Sequence, residues 1–147
     1  MKIYIGADHN GFAMKAELID YLRRIGYDVI DEGAKALQPY DDFPQFAGHV
    51  VKAVLANGDK DARGILICGS GQGMCMAANR FKGIRASLVW DIQEARAVRN
   101  DDDSNVLCLP ARILKTERAN MIVNTWLTTP FADATRFKRR IKEMDGF

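Results

Sequence analysis

The chain has 147 residues, of which 48% are hydrophobic and 27% charged, with a formal net charge of +2, proportions that fit one folded soluble domain and exclude a disordered segment. So small a charge excludes binding polyanions by bulk electrostatics, so any anion chemistry must come from where individual cations lie, and no nucleic-acid partner is expected. No apolar run approaches the ~20 residues that span a bilayer, and "MKIYIGADHN" lacks a signal peptide's apolar stretch, so a cytoplasmic chain without a membrane partner is expected.

In chain order, "KIYIGAD" (2–8) reads as a strand running into Asp8-His9. Leu18, Leu22 and Ile25 then recur at helical spacing, with Gly26 as the stop. "YDVIDEG" (27–33) is a second strand, followed by the helical "FAGHVVKAV", in which His49 reads as an ordinary half-buried side chain. "GILICG" (64–69) is a third strand, "IRASLVW" (84–90) a fourth running into Asp91, and "NVLCLP" (105–110) a fifth, preceded by "RNDDDSN". In "ERANMIVNTWL" the residues Ala119, Ile122, Val123, Trp126 and Leu127 form one apolar stripe, and "DATRFKRRIKEM" adds a final helix to four earlier candidates. Alternating strands and helices predict a five-stranded parallel, Rossmann-like sheet covered on both faces, a three-layer α/β/α sandwich forming a single domain over 1–147. Ligands of such sheets bind at the carboxyl ends of the strands, which directs attention to the loops.

Gly69, Gly71 and Gly73 follow the third strand, let the backbone turn sharply, and leave free N–H groups aimed at one spot. This pattern predicts an anion or oxyanion site. A dinucleotide fingerprint is the competitor, with Asp91 as the ribose acid, but the spacing is G-x-G-x-G and the motif follows the third strand. Cys68 immediately precedes the glycines, where amides and a helix start favour the thiolate, as a base or nucleophile needs. Cys75 and Cys108 read as buried strand or helix thiols, and the three cysteines form neither a CxxC pair nor a disulfide framework. Arg136 and Arg140 share a helical face and would clamp a phosphate if they faced the strand ends, though a solvated basic face is the ordinary meaning of such a run.

Together "GADHNGFAMK", "YDVIDEG", "DDFP", "ILICGSGQGMCMAANRFKGIRA", "SNVL" and the late arginine pair resemble the sugar-phosphate isomerases comprising type B ribose-5-phosphate isomerases and galactose-6-phosphate isomerases. The resemblance covers nearly the whole chain. It implies aldose–ketose isomerisation through an enediolate, without metal or cofactor, in a homodimer or dimer of dimers whose subunits share active sites. Carried onto this sequence, it makes Cys68 the base that moves a proton between C1 and C2. Gly69, Ser70, Gly71 and Gly73 become the loop that stabilises the oxyanion, with Ser70 relaying protons. Asp8 becomes a sugar-hydroxyl ligand, and His9, Arg112, Arg136 and Arg140 hold the phosphate. Where other members place a glutamate base, this chain has Met74.

The chain also departs from the pattern. The family's His-Asn-Asp-x-Asn segment, whose histidine opens the sugar ring, reads Asp101-Asp102-Asp103-Ser104-Asn105, and a histidine often found beside Arg136 is Phe137. Asp101 is thereby the expected acid or base and Asp102 the expected sugar contact, or else the substrate is already open-chain. A non-catalytic sugar-phosphate binder and a nucleotide-binding domain are the alternatives.

Overall fold

A computed structural model describes residues 1–147. Its elements are β1 (Lys2–Ala7), α1 (Phe12–Arg24), β2 (Asp28–Asp31), α2 (Phe43–Ala56), β3 (Arg63–Cys68), α3 (Gln72–Ala78), β4 (Ala86–Leu88), α4 (Ile92–Asp102), β5 (Val106–Pro110), α5 (Thr116–Thr128) and α6 (Thr135–Met144). All strands are parallel, in the order β2-β1-β3-β5-β4. The chain leaves β1 for β2 on one side and returns to β3 on the other, so the β1/β3 crevice is the switch point.

Alternation along each strand divides the core between the two faces. Ile3, Ile5, Ile65, Ile67, Leu107 and Leu109 point towards α1, α4 and α5. Tyr4, Leu66, Cys68, Val106 and Cys108 point towards α2 and α3. Each of the first six is wholly buried, removing apolar surface worth about 2–3 kcal/mol from water. On the second face α2 sits low on the sheet because two positions lack side chains: a Cβ on Gly6 or on Gly64 would lie 2.9 Å from a methyl of Val50. Beside α1 a buried cation, Lys15, is satisfied by Asp31 Oδ1 at 2.7 Å and the Ala34 carbonyl at 2.6 Å.

The expected strands are present, with β4 confined to three half-buried residues at the sheet edge. Six helices form, one more than expected. Ile25 is not part of the buried stripe; it caps α1 and is 44% exposed, because the chain turns out at Gly26 with φ +96°. No helix is long and apolar enough to cross a membrane.

Candidate functional site

The register places the ends of β1, β3 and β5 side by side, with Ala7 opposite Ile67 and Cys68 opposite Pro110. Asp8, His9, Cys68, the glycine loop and Arg112 therefore lie along one edge of the sheet.

Asp8 is 5% exposed, and its Oδ1 accepts the backbone N–H groups of Asn10 at 2.9 Å and Gly11 at 3.1 Å, turning the chain into α1. His9 is held by Asp41: one carboxylate oxygen, Oδ1, accepts the His9 backbone N–H at 3.0 Å and pairs with Nδ1 at 2.7 Å. Asn10 Nδ2 lies 3.0 Å from the other ring nitrogen, Nε2. Asp8, His9 and Asp41 bring ligand-type atoms within 4.8 Å of one another. Asp41 Oδ1 and both ring nitrogens of His9 are engaged in these hydrogen bonds, so Asp41, His9 and Asn10 form one hydrogen-bonded chain.

Cys68 closes β3, is 5% exposed, and packs with the residues under α2 and α3. Its Sγ accepts the Gly71 N–H at 3.1 Å. That bond depends on Gly71 adopting φ +74°, a left-handed turn that favours glycine. None of the five principal cavities includes Cys68. The loops after β3 and β5 are zipped together, with Ala111 N–H on the Cys68 carbonyl at 2.9 Å and Arg112 N–H on the Gly69 carbonyl at 3.0 Å. The Arg112 guanidinium consequently lies across Gly69, where an added Cβ would come within 2.8 Å of Nε. Phe43 covers Gly73 in the same way, its Cζ 2.7 Å from where a Cβ would stand. Ser70 is exposed, and its Oγ accepts the Gln72 N–H at 3.3 Å.

The other predicted residues are elsewhere on the same chain. "RNDDDSN" precedes a strand of a parallel sheet, so it belongs to the amino edge; Asp101 and Asp102 end α4 there, a strand length of about 17 Å from Cys68. Asp101 and Asp102 therefore do not meet Cys68 and the glycine loop within one chain. Asp101 is half-buried and accepts Asn100 Nδ2 at 2.7 Å. Burial, aided by the Asp101 charge and opposed by Arg140, pushes the Asp102 carboxyl above the usual carboxylate range. Arg136 and Arg140 lie on α6, which packs on α4 and brings Arg140 beside Asp102, at the edge opposite His9 and Arg112 of the same chain. Arg136 stacks 4.6 Å from the Phe137 ring centroid.

Asp91, the acid a nucleotide site would need, is committed within the chain. Its Oδ1 caps α4 through the Gln93 N–H at 2.7 Å and its Oδ2 accepts Arg118 Nη2 at 2.7 Å. The Gln93 N–H above all holds its carboxyl below the usual range. Asp41 and Phe43 also line this edge, against His9 and Gly73, although the sequence gives neither a role; the one signal is their place within "DDFP".

A doubly wound parallel sheet carrying a thiol, a glycine loop and an arginine at the strand ends defines an α/β protein with its candidate site at the carboxyl edge of the sheet. Residues 3–144 match the model of a family described as Ribose/Galactose Isomerase. The chain is 42% identical over 137 residues to a probable ribose-5-phosphate isomerase B of Mycoplasma pneumoniae, covering 93% of this chain and 89% of that one. It is 40% identical over 141 residues to ribose-5-phosphate isomerase B of Escherichia coli, covering 96% and 92%. Among solved structures, a ribose 5-phosphate isomerase of Thermotoga maritima superposes with a TM-score of 0.93 at 40% identity, covering 99% of this chain and 98% of that one. Ribose-5-phosphate isomerase B of Mycoplasma genitalium with bound ribulose-5-phosphate superposes with a TM-score of 0.94 at 38% identity, covering 99% and 94%. This chain belongs to the ribose/galactose isomerase family.

Proposed function

We propose that this protein is an aldose–ketose isomerase that interconverts ribose 5-phosphate and ribulose 5-phosphate or a closely related sugar phosphate, with Cys68 as the base. The observation that carries the reading is the Gly71 N–H on Cys68 Sγ beside a glycine loop crossed by Arg112. The thiolate takes a proton from the carbon next to the substrate carbonyl; the electron pair left behind forms an enediolate, whose oxygen faces the loop amides. Return of the proton to the neighbouring carbon completes the exchange, with Ser70 passing a proton between the two oxygens. A preorganised donor at such an oxyanion lowers the barrier by about 3 kcal/mol.

The assembly is part of the same proposal. One chain carries Asp8, His9, Cys68 and Arg112 at one edge and Asp101, Asp102, Arg136 and Arg140 at the other. A homodimer of two-fold symmetry sets the first half of one chain against the second half of its partner, completing two equal sites. His9 and Arg112 with the partner's Arg136 and Arg140 then hold the phosphate, and the partner's Asp101 and Asp102 meet the sugar, where they open its ring.

Purified protein assayed with ribose 5-phosphate and with a panel of aldose and ketose phosphates should turn over at least one, and Cys68→Ala should abolish turnover while still binding the substrate. Cys68→Ala and Asp101→Ala, each inactive alone, should regain about a quarter of wild-type activity when unfolded and refolded together, because half the dimers then carry one intact site of two. No turnover on any sugar phosphate refutes the enzyme reading, and a mixture as inactive as its parents refutes the shared site.

A further inference from the structure

We propose that Asp41 is a positioning residue that decides which nitrogen of His9 meets the substrate phosphate, an inference that rests on the phosphate-binding role proposed above for His9. The Asp41 side chain is 7% exposed and that of His9 33%. A carboxylate so deeply buried is costly unless its hydrogen bonds hold it there. Both of the bonds it makes go to His9, the backbone N–H at 3.0 Å and Nδ1 at 2.7 Å. Its second oxygen, Oδ2, is buried without a partner. Serving the backbone N–H alone would require only a neutral acceptor such as a serine hydroxyl; the short contact to Nδ1 accounts for a carboxylate.

An ionised carboxylate only accepts, so the ring must donate Nδ1–H to it. Nε2 is then left on the outward edge, where Asn10 Nδ2 donates to it at 3.0 Å. This pairs every polar atom of the ring in one orientation. A neutral Nε2 presents a lone pair, which suits Asn10 and repels a phosphate oxygen. A proton taken up on Nε2 turns that atom into a donor, with the phosphate on one side of the ring and the Asp41 carboxylate on the other. The nitrogen facing the ligand is thus set by the bond at the opposite nitrogen.

The test has two arms on the full-length protein. The chain has only two histidines, so imidazole nitrogen spectra of ¹⁵N-labelled protein are readily assigned with His49→Gln. His9 should carry its proton on Nδ1 in the wild type and lose that preference in Asp41→Ala; an unchanged tautomer overturns the proposal. In a double-mutant cycle with inorganic phosphate and the sugar phosphate, Asp41→Ala should raise the phosphate Kd and the KM about tenfold, leaving kcat within about twofold. It should add nothing once His9 is alanine. His9→Ala leaves the backbone N–H to Asp41 intact, so an equal loss in both backgrounds means that Asp41 merely anchors the loop, which overturns the proposal. Asp41→Asn, whose Oδ1 can accept both N–H groups, should recover most of the affinity and serves if the alanine variant fails to fold. Phosphate affinity unchanged by His9→Ala would remove the role on which the inference rests, even with catalysis intact.

Discussion

Gly71→Ala isolates the steric demand of the loop that serves Cys68. Gly71 holds φ +74°, and an added Cβ would stand 2.4 Å from Leu88 Cδ1 and 3.2 Å from the backbone of Leu109 and Pro110. Two costs follow: about 1–2 kcal/mol for a left-handed alanine, and about 1–3 kcal/mol for overpacking against strand ends that cannot retreat. Gly26 is the natural reference, because it has φ +96° and nothing within 4 Å of its notional Cβ. Urea unfolding of both variants should show Gly26→Ala losing about 1–2 kcal/mol and Gly71→Ala a further 1–3 or so. Moving the loop also withdraws the Gly71 N–H from Cys68 Sγ, so isomerase activity should fall in Gly71→Ala and persist in Gly26→Ala. Equal destabilisation by the two substitutions would refute the reasoning.

Other perturbations probe separate parts of the molecule. Lys15→Met takes the cation from Asp31, which keeps the Gly33 N–H, and from the Ala34 carbonyl and should cost about 3 kcal/mol in urea unfolding, near the low end for a broken buried pair because Asp31 keeps that bond and some solvent; a loss under about 1 kcal/mol would contradict it. Asp102 has a raised folded pKa, so its protonated form favours folding below the unfolded aspartate range, and that advantage is lost as pH rises through the folded value. The stability of Asp102→Asn relative to wild type should therefore increase between pH ~3.5 and pH ~7, and a pH-independent difference would count against the assignment. Hydrogen bonding with Cys108 brings the Cys75 thiol down to about 7, while burial pushes Cys108 well up. Iodoacetamide labelling followed by peptide mass spectrometry should show Cys75 reacting with a midpoint near that value and Cys108 protected; Cys108→Ala should move the midpoint upwards.

Much of the fold was legible because the physics is local. Runs such as Ile65-Leu66-Ile67 are apolar on both faces, which identifies a strand covered on both sides. The edge strand was drawn too long because Ile84 and Arg85, though suited to a strand, take their backbone partners from the Phe81 turn and Asn105. Ile25 fitted the helical spacing but could not bury itself past a left-handed glycine. Cys68 and its glycines were legible for the same local reason, since consecutive residues fix both the thiol and its N–H donor. The Asp41–His9 contact joins residues 32 apart, and nothing in either segment alone announces it. The opposite placement of Asp101 followed from topology already in hand, because a segment leading into a parallel strand starts from the amino edge.

The bare patch made by Gly6 and Gly64 reaches further than its own surroundings. Val50 rests there as a fulcrum, and α2 extends from it about 10 Å back to Phe43, which leans on Gly73, with Asp41 just before it on His9. Helix and site form a lever: a single methyl at Gly64 would lift α2 and tilt its leading end, loosening the imidazole and the glycine loop together. Tuning of the edge that carries His9 and Cys68 is therefore open to substitutions at the far end of the sheet.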